Sequence, residues 1–128
     1  MKKYLITGES GFIGKHLLAL LNTYQSEIKV IARKKDHKYK TFICNLGSEK
    51  IPSTAFDSID TVIHLAGLAH DVKNPLTSSK LYYDVNVTAT IELAAAAAGS
   101  GVKSFVFVSS TKAGGNPIFG NCADESDQ

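Results

Sequence analysis

Residues 6–14 read ITGESGFIG. Three glycines, Gly8, Gly11 and Gly14, stand three apart directly behind the apolar stretch KKYLIT, residues 2–7. An apolar run that ends on glycine predicts a short buried strand with a sharp turn at Gly8. Behind Gly11 the period changes. Ile13, Leu17, Leu20, Leu21 and Tyr24 recur at helical spacing and predict an amphipathic helix from Gly11 to Tyr24. This strand, glycine turn and helix decide how the rest of the chain is read.

Working outward, IKVIA at 28–32 predicts a second strand, followed by the basic run Arg33-Lys34-Lys35. TFIC at 41–44 predicts a third, and 46–58 leave room for one helical turn. TVIHLA at 61–66 predicts a fourth strand, ending at Gly67. Asn74-Pro75 offers a cap and a first helical position, and a long helix is expected from there to about Ala98. Its last turns are the alanine run 94–98, and Gly99 and Gly101 stop it. SFVFV at 104–108 predicts a fifth strand, and 109–128 read as polar loop.

Strands alternating with helices imply an α/β fold with a parallel sheet and right-handed crossovers. Strands buried on both faces should be continuous apolar runs, as these are. The expected architecture is a Rossmann-type, doubly wound sheet of five strands in the order 3-2-1-4-5. Ligands of such sheets bind at the carboxyl ends of the strands, beside the switch point between the first and fourth.

The 128 residues suffice for one domain, and a net charge of +2 argues for neither nucleic acid nor a membrane surface as partner. No stretch approaches the length of a membrane span. The opening MKK is followed by an apolar run that breaks at Gly8, too short for a secretory signal. Cys44 and Cys122 lack metal-ligand spacing, so the expectation is two free thiols in a reducing cytoplasm.

The glycines suit a phosphate. Gly8 permits the turn, Gly11 lets a pyrophosphate approach the backbone, and Gly14 lets the helix pack against the strand. The helix N-terminus presents free amides and partial positive charge to that anion. Phe12 and Ile13, between the last two glycines, are expected as core residues anchoring the first turn.

The glycine loop, VIHLAG at 62–67, YYDVNVTAT at 82–90 and FVFVSS at 105–110 together resemble the extended short-chain dehydrogenases/reductases. Within them the resemblance is to the NAD(P)-dependent sugar-nucleotide epimerase/dehydratase family, nearest to its UDP-glucose 4-epimerase-like members of bacterial surface-polysaccharide synthesis. The lysine behind the serine pair in SSTK, 109–112, belongs to the same likeness.

The resemblance implies a cofactor, NAD or NADP, and a nucleotide-sugar substrate for the full-length parent. It places Gly8, Gly11, Phe12, Ile13 and Gly14 on the pyrophosphate. Arg33 falls where NAD-preferring members carry an acid. An arginine pairs with a 2′-phosphate, while a solvated basic run would look the same. Asn45 and Leu46 match the pair that meets adenine, with Asn45 in place of an aspartate. Leu65, Ala66 and Gly67 match the stretch lining the cofactor on the fourth strand. His64 is read as a core or strand-capping residue, and Ala69 replaces a lysine that touches the cofactor in some epimerases. Asn86, expected in mid-helix on a face shared with Tyr82 and Leu93, matches an asparagine that supports the active site. Ser110 matches the active-site serine or threonine, with Ser109 structural, and Lys112 either reaches a substrate phosphate or is solvated.

The family's chemistry also uses a Tyr-x-x-x-Lys pair, and none of Tyr4, Tyr24, Tyr39, Tyr82 and Tyr83 has lysine four residues later. Gly114 replaces a tyrosine that many relatives carry in that loop. Residues 1–128 are therefore expected to form an NAD(P)-binding domain, the N-terminal part of a longer enzyme, inactive alone. The alternative is a non-catalytic dinucleotide-binding sensor or regulatory module. With no strand beyond it, the fifth strand is expected to be an apolar edge that favours self-association.

Overall fold

The computed structural model describes residues 1–68 and 79–110. The expected cap at Asn74-Pro75 lies outside the described residues, as do Ala69, Lys112, Gly114 and Cys122.

Five strands form one parallel sheet: β1 Lys3–Thr7, β2 Glu27–Ala32, β3 Lys40–Ile43, β4 Thr61–His64 and β5 Ser104–Phe107. Their order is β3-β2-β1-β4-β5, as the alternation of elements predicts. At the centre, Thr7 pairs with Ile31 on one side and His64 on the other. The apolar runs explain the placement, because residues 5–7 of β1 and 28–32 of β2 are all buried.

Alternation along the strands divides the core into two layers. Ile6, Ile28 and Val30 meet Leu18 and Leu21 of α1, Phe12–Thr23. Leu5, Ile31 and Val62 pack on the opposite side with Leu93 and Ala97 of α3, Ala89–Gly99, and with Ala55 and Phe56 of the 3-10 turn Ser53–Phe56. Leu5, Val62 and Leu93 are fully buried; side chains of this kind each contribute about 1.5–3 kcal/mol relative to exposure. Lys29 is also buried, and its Nζ donates to the Asp57 carbonyl at 2.6 Å.

Two expectations need correction. Phe12 is 81% exposed and Ile13 54%, so neither anchors the core. They head α1 on the side turned from the sheet, while Gly14, Leu18 and Leu21 form its buried face. Phe12 instead packs against His16 with the rings tilted at 50° and their centroids 4.6 Å apart. The expected long helix is also interrupted. A short α2, Ser79–Tyr83, widens into a π-helical segment, Asp84–Thr88, before α3 begins.

Candidate functional site

At the carboxyl end of β1 the chain turns at Gly8 with φ +77°. A Cβ there would also lie 2.6 Å from the Ala66 amide nitrogen, so only glycine fits. The Gly11 amide closes the turn by donating to the Gly8 carbonyl at 3.1 Å. Gly11 has an ordinary φ of −71°, and a Cβ would meet only the Gly8 oxygen, at 3.3 Å. Its backbone does not demand glycine; the bareness of this position serves whatever approaches it from outside. A Cβ at Gly14 would fall 2.2 Å from the Gly8 oxygen and 2.8 Å from Glu9 backbone. The helix therefore presses on the loop backbone rather than on the strand as the spacing suggests.

Gly11 caps α1 without any side-chain hydrogen bond. The first-turn amides thus have no capping side chain and carry the helix's partial positive charge. Gly11, the N-cap of that helix, lines a cleft of about 430 Å³ at the switch point between β1 and β4. Its walls are the loop Gly8–Gly11, Arg33 beyond β2, Cys44–Leu46 beyond β3, and Leu65–Leu68 beyond β4, with Leu81 and Val85 across the opening.

Of the residues singled out in the sequence, Gly8, Gly11, Arg33, Asn45, Leu46, Leu65, Ala66 and Gly67 line this cleft. Phe12, Ile13, Gly14 and Asn86 do not. Ser110 is exposed beyond the end of β5 and is not among the lining residues.

Asn86 holds the wall from behind. Its Oδ1 accepts from the Leu68 amide at 2.7 Å and its Nδ2 donates to the Leu68 carbonyl at 2.9 Å. A Cβ on Gly67 would meet Asn86 Oδ1 at 3.3 Å, so the small residue keeps this approach open. Gly47, with φ +87°, lies closer still to the start of the π-helical segment: its Cβ would be 2.8 Å from the Asp84 carbonyl.

His64 is 1% exposed, in the core as expected, and its ring is bonded on both sides. Nδ1 lies 2.6 Å from Thr7 Oγ1, and Nε2 lies 2.9 Å from Thr90 Oγ1. Burial lowers its pKa from the ordinary value. Burial likewise raises the Cys44 thiol, with Glu49 and Glu92 adding to it, which disfavours a thiolate in the cleft.

The sequence reading missed Glu9, Thr7, Thr90 and Leu68. Glu9 lines the cleft inside the glycine loop. Burial raises its pKa; backbone hydrogen bonds lower it, Asp36 raises it further, and Arg33 opposes the rise. An acid between two phosphate-loop glycines was the available signal. The threonines gave none, since their role depends on contacts distant in sequence.

A parallel sheet with a bare glycine turn and an uncapped helix at its switch point defines a protein of the doubly wound, dinucleotide-fold class. Residues 4–127 match the NAD dependent epimerase/dehydratase family, and this chain belongs to that family. It is 34% identical over 131 residues to a UDP-glucose 4-epimerase of Vibrio cholerae, an alignment covering 94% of this chain and 38% of that one. To a Klebsiella pneumoniae UDP-glucose 4-epimerase it is 33% identical over 127 residues, covering 84% of this chain and 88% of the relative. Among solved structures it resembles MoeE5 in complex with UDP-glucose and NAD, with TM-score 0.77 and 30% identity over 90% of this chain and 38% of that one. The chain thus spans under two fifths of the length of the Vibrio relative. No helix among the described residues is long and apolar enough to cross a membrane.

Proposed function

We propose that residues 1–128 form an NAD(P)-binding domain, the cofactor-binding portion of a nucleotide-sugar 4-epimerase or 4-keto-reductase of bacterial surface-polysaccharide synthesis. The observation that carries this reading is that Gly11, the bare N-cap of α1, lines the cleft together with Gly8. Those residues fit a pyrophosphate: the backbone of Gly8 and Gly11 lines the cleft, no side chain at Gly11 obstructs it, and the helix dipole favours its charge. Leu65, Ala66 and Gly67 give the cofactor a small, close wall, and Asn45 and Leu46 stand at the end where an adenine would lie. Arg33 pairs with the 2′-phosphate when the cofactor is NADP.

When bound, the dinucleotide supplies hydride transfer at the sugar carbon. The chain's own part is to bind it, orient it and keep water from its inner face. Ser110 donates a hydrogen bond to the reacting sugar oxygen. No tyrosine of this chain has lysine four residues on, so the proton-transfer pair used by the family is not supplied by these residues. The nucleotide sugar is the substrate of the full-length parent. The exposed β5 edge, with Val106 and Phe107 about half uncovered, supports self-association of this chain.

The test is calorimetric titration of the chain with NAD and with NADP. One-to-one binding of either supports the reading, and heat-silent titrations with both overturn it. Interconversion of UDP-glucose and UDP-galactose by the chain alone, followed by chromatography, is expected to be absent.

A further inference from the structure

The hydrogen bonds around His64 run in one direction, and that direction fixes its tautomer. Thr90 Oγ1 donates to the Asn86 carbonyl at 2.8 Å, which uses its only proton. Toward His64 it can then only accept, so Nε2 carries the ring hydrogen. Nδ1 is left with a lone pair and accepts from Thr7 Oγ1–H at 2.6 Å. The Thr7 oxygen, its proton spent, accepts from the Ala66 amide at 3.2 Å. Asn86 completes the chain by bonding both backbone groups of Leu68.

We propose that His64 is the positioning residue of the cleft wall: its neutral Nε2–H ring ties Thr7 on β1 to Thr90 on α3 and thereby sets where Ala66, Gly67 and Leu68 stand. The role rests on reading the cleft as the dinucleotide site. The groups packed on the ring come from three elements, Thr7 from β1, Thr90 from α3, and Phe105 and Phe107 from β5, and none of them is charged. The imidazolium does not fit this arrangement. Both of its nitrogens would donate, and the Thr7 hydroxyl proton would lose its acceptor. The ring joins segments far apart in sequence, Thr7 and Thr90 lying 57 and 26 residues from it. It therefore connects the sheet to the π-helical segment through the edge of the cleft.

The experiment uses the chain without cofactor. Nitrogen-15 NMR of the wild-type ring should show a protonated Nε2 and an unprotonated Nδ1; the reverse tautomer, or the mixture typical of a free histidine, overturns the proposal. Three variants then separate positioning from packing. His64→Asn puts an amide near the Nδ1 position and keeps the Thr7 bond. His64→Gln reaches toward Thr90 and keeps that one. His64→Leu keeps neither. Amide exchange at Ala66 should quicken about tenfold in the Gln and Leu variants and hold in the Asn variant. Exchange at Leu68 should quicken in the Asn and Leu variants and hold in the Gln variant. Amides of Leu5 and Val30 monitor the fold, and if the Leu variant does not fold, the Asn and Gln pair decides. Equal changes at both amides in every variant mean plain packing and overturn the proposal. NAD affinity should fall about tenfold in any folded variant that frees both amides. A wild-type chain that binds no dinucleotide defeats the assignment of the cleft, while the exchange pattern still decides what His64 does.

Discussion

Asn86 and Leu68 are joined by a paired amide contact: Oδ1 of Asn86 accepts from the Leu68 N–H at 2.7 Å, and its Nδ2 donates to the Leu68 carbonyl at 2.9 Å. A residue from the helical layer thus substitutes for the neighbouring strand that Leu68 no longer has once β4 ends at His64.

Replacing Asn86 by leucine leaves both Leu68 backbone groups without these partners. The expected loss of stability is about 1–3 kcal/mol, with Asn86 only half-buried and solvent able to recover part of it. Denaturant unfolding measures it. Asn86→Asp keeps the acceptor and loses the donor, so it should fall between leucine and wild type.

The two later loop glycines should separate binding from folding. Gly11→Ala places its Cβ at 3.3 Å from one carbonyl oxygen on an exposed turn, so stability should change by about 0.5 kcal/mol or less while NAD(P) binding weakens. Gly14→Ala drives a Cβ to 2.2 Å from the same oxygen, and overpacking of this kind costs about 1–3 kcal/mol. Thermal unfolding and calorimetry on both variants check the split. Undiminished NAD(P) binding by folded Gly11→Ala would place the pyrophosphate elsewhere.

Arg33 should favour NADP. A hydrogen bond to a charged group contributes about 1.5–3 kcal/mol, so Arg33→Asp should weaken NADP by roughly that much and NAD by less. Competition titrations with the two cofactors give the comparison. Equal losses would leave Arg33 as a solvated cation.

His64 predicts a pH dependence of stability. Its folded pKa lies below the ordinary 6.5 because burial disfavours the charged ring. Below pH 6.5 the unfolded chain therefore binds the proton more readily than the folded one, and stability falls as pH drops from there through the folded pKa. Above that range this contribution does not vary. Denaturant midpoints from pH 8 to pH 5 should show the decline in wild type and a smaller one in His64→Gln. Parallel curves would remove His64 as the cause.

The β5 edge should make the chain associate. Val106 and Phe107 on the edge strand β5, and Val108 directly after it, are each 42–50% exposed. Light scattering over a concentration series should show a rising apparent mass, and Val106→Lys should suppress it. A constant monomer mass at high concentration would rule the edge out as an association surface.

The sheet was legible because strands covered on both faces are predominantly apolar, and residues 4–6, 28–32 and 61–63 differ plainly from their surroundings even with Lys29 among them. The glycine loop was legible because Gly8 and Gly14 answer steric demands that no other residue meets. Phe12 and Ile13 misled because apolarity does not say which side of a helix a residue takes; the close approach of Gly14 to the loop backbone of Gly8 and Glu9 sets that rotation. The π-helical segment left no periodic trace. It accompanies the Asn86–Leu68 contact and the approach of Gly47 to Asp84, both made across the fold. Glu9 lines the cleft through a position whose only mark in the sequence is its place between Gly8 and Gly11.

The widened turn at Asp84–Thr88 holds one residue that a regular helix would not. A π turn closes over i→i+5 where an α turn closes over i→i+4, so the extra residue is absorbed there without turning the helix on either side. Removing one residue from this stretch and restoring regular winding would leave α2 close to its phase on α3. The change would fall on the turn itself, where Asn86 meets Leu68 and Gly47 approaches Asp84. Within α3 the same loss, at about 100° per residue, would turn part of its buried face, Ala89, Leu93 and Ala97, away from the rest.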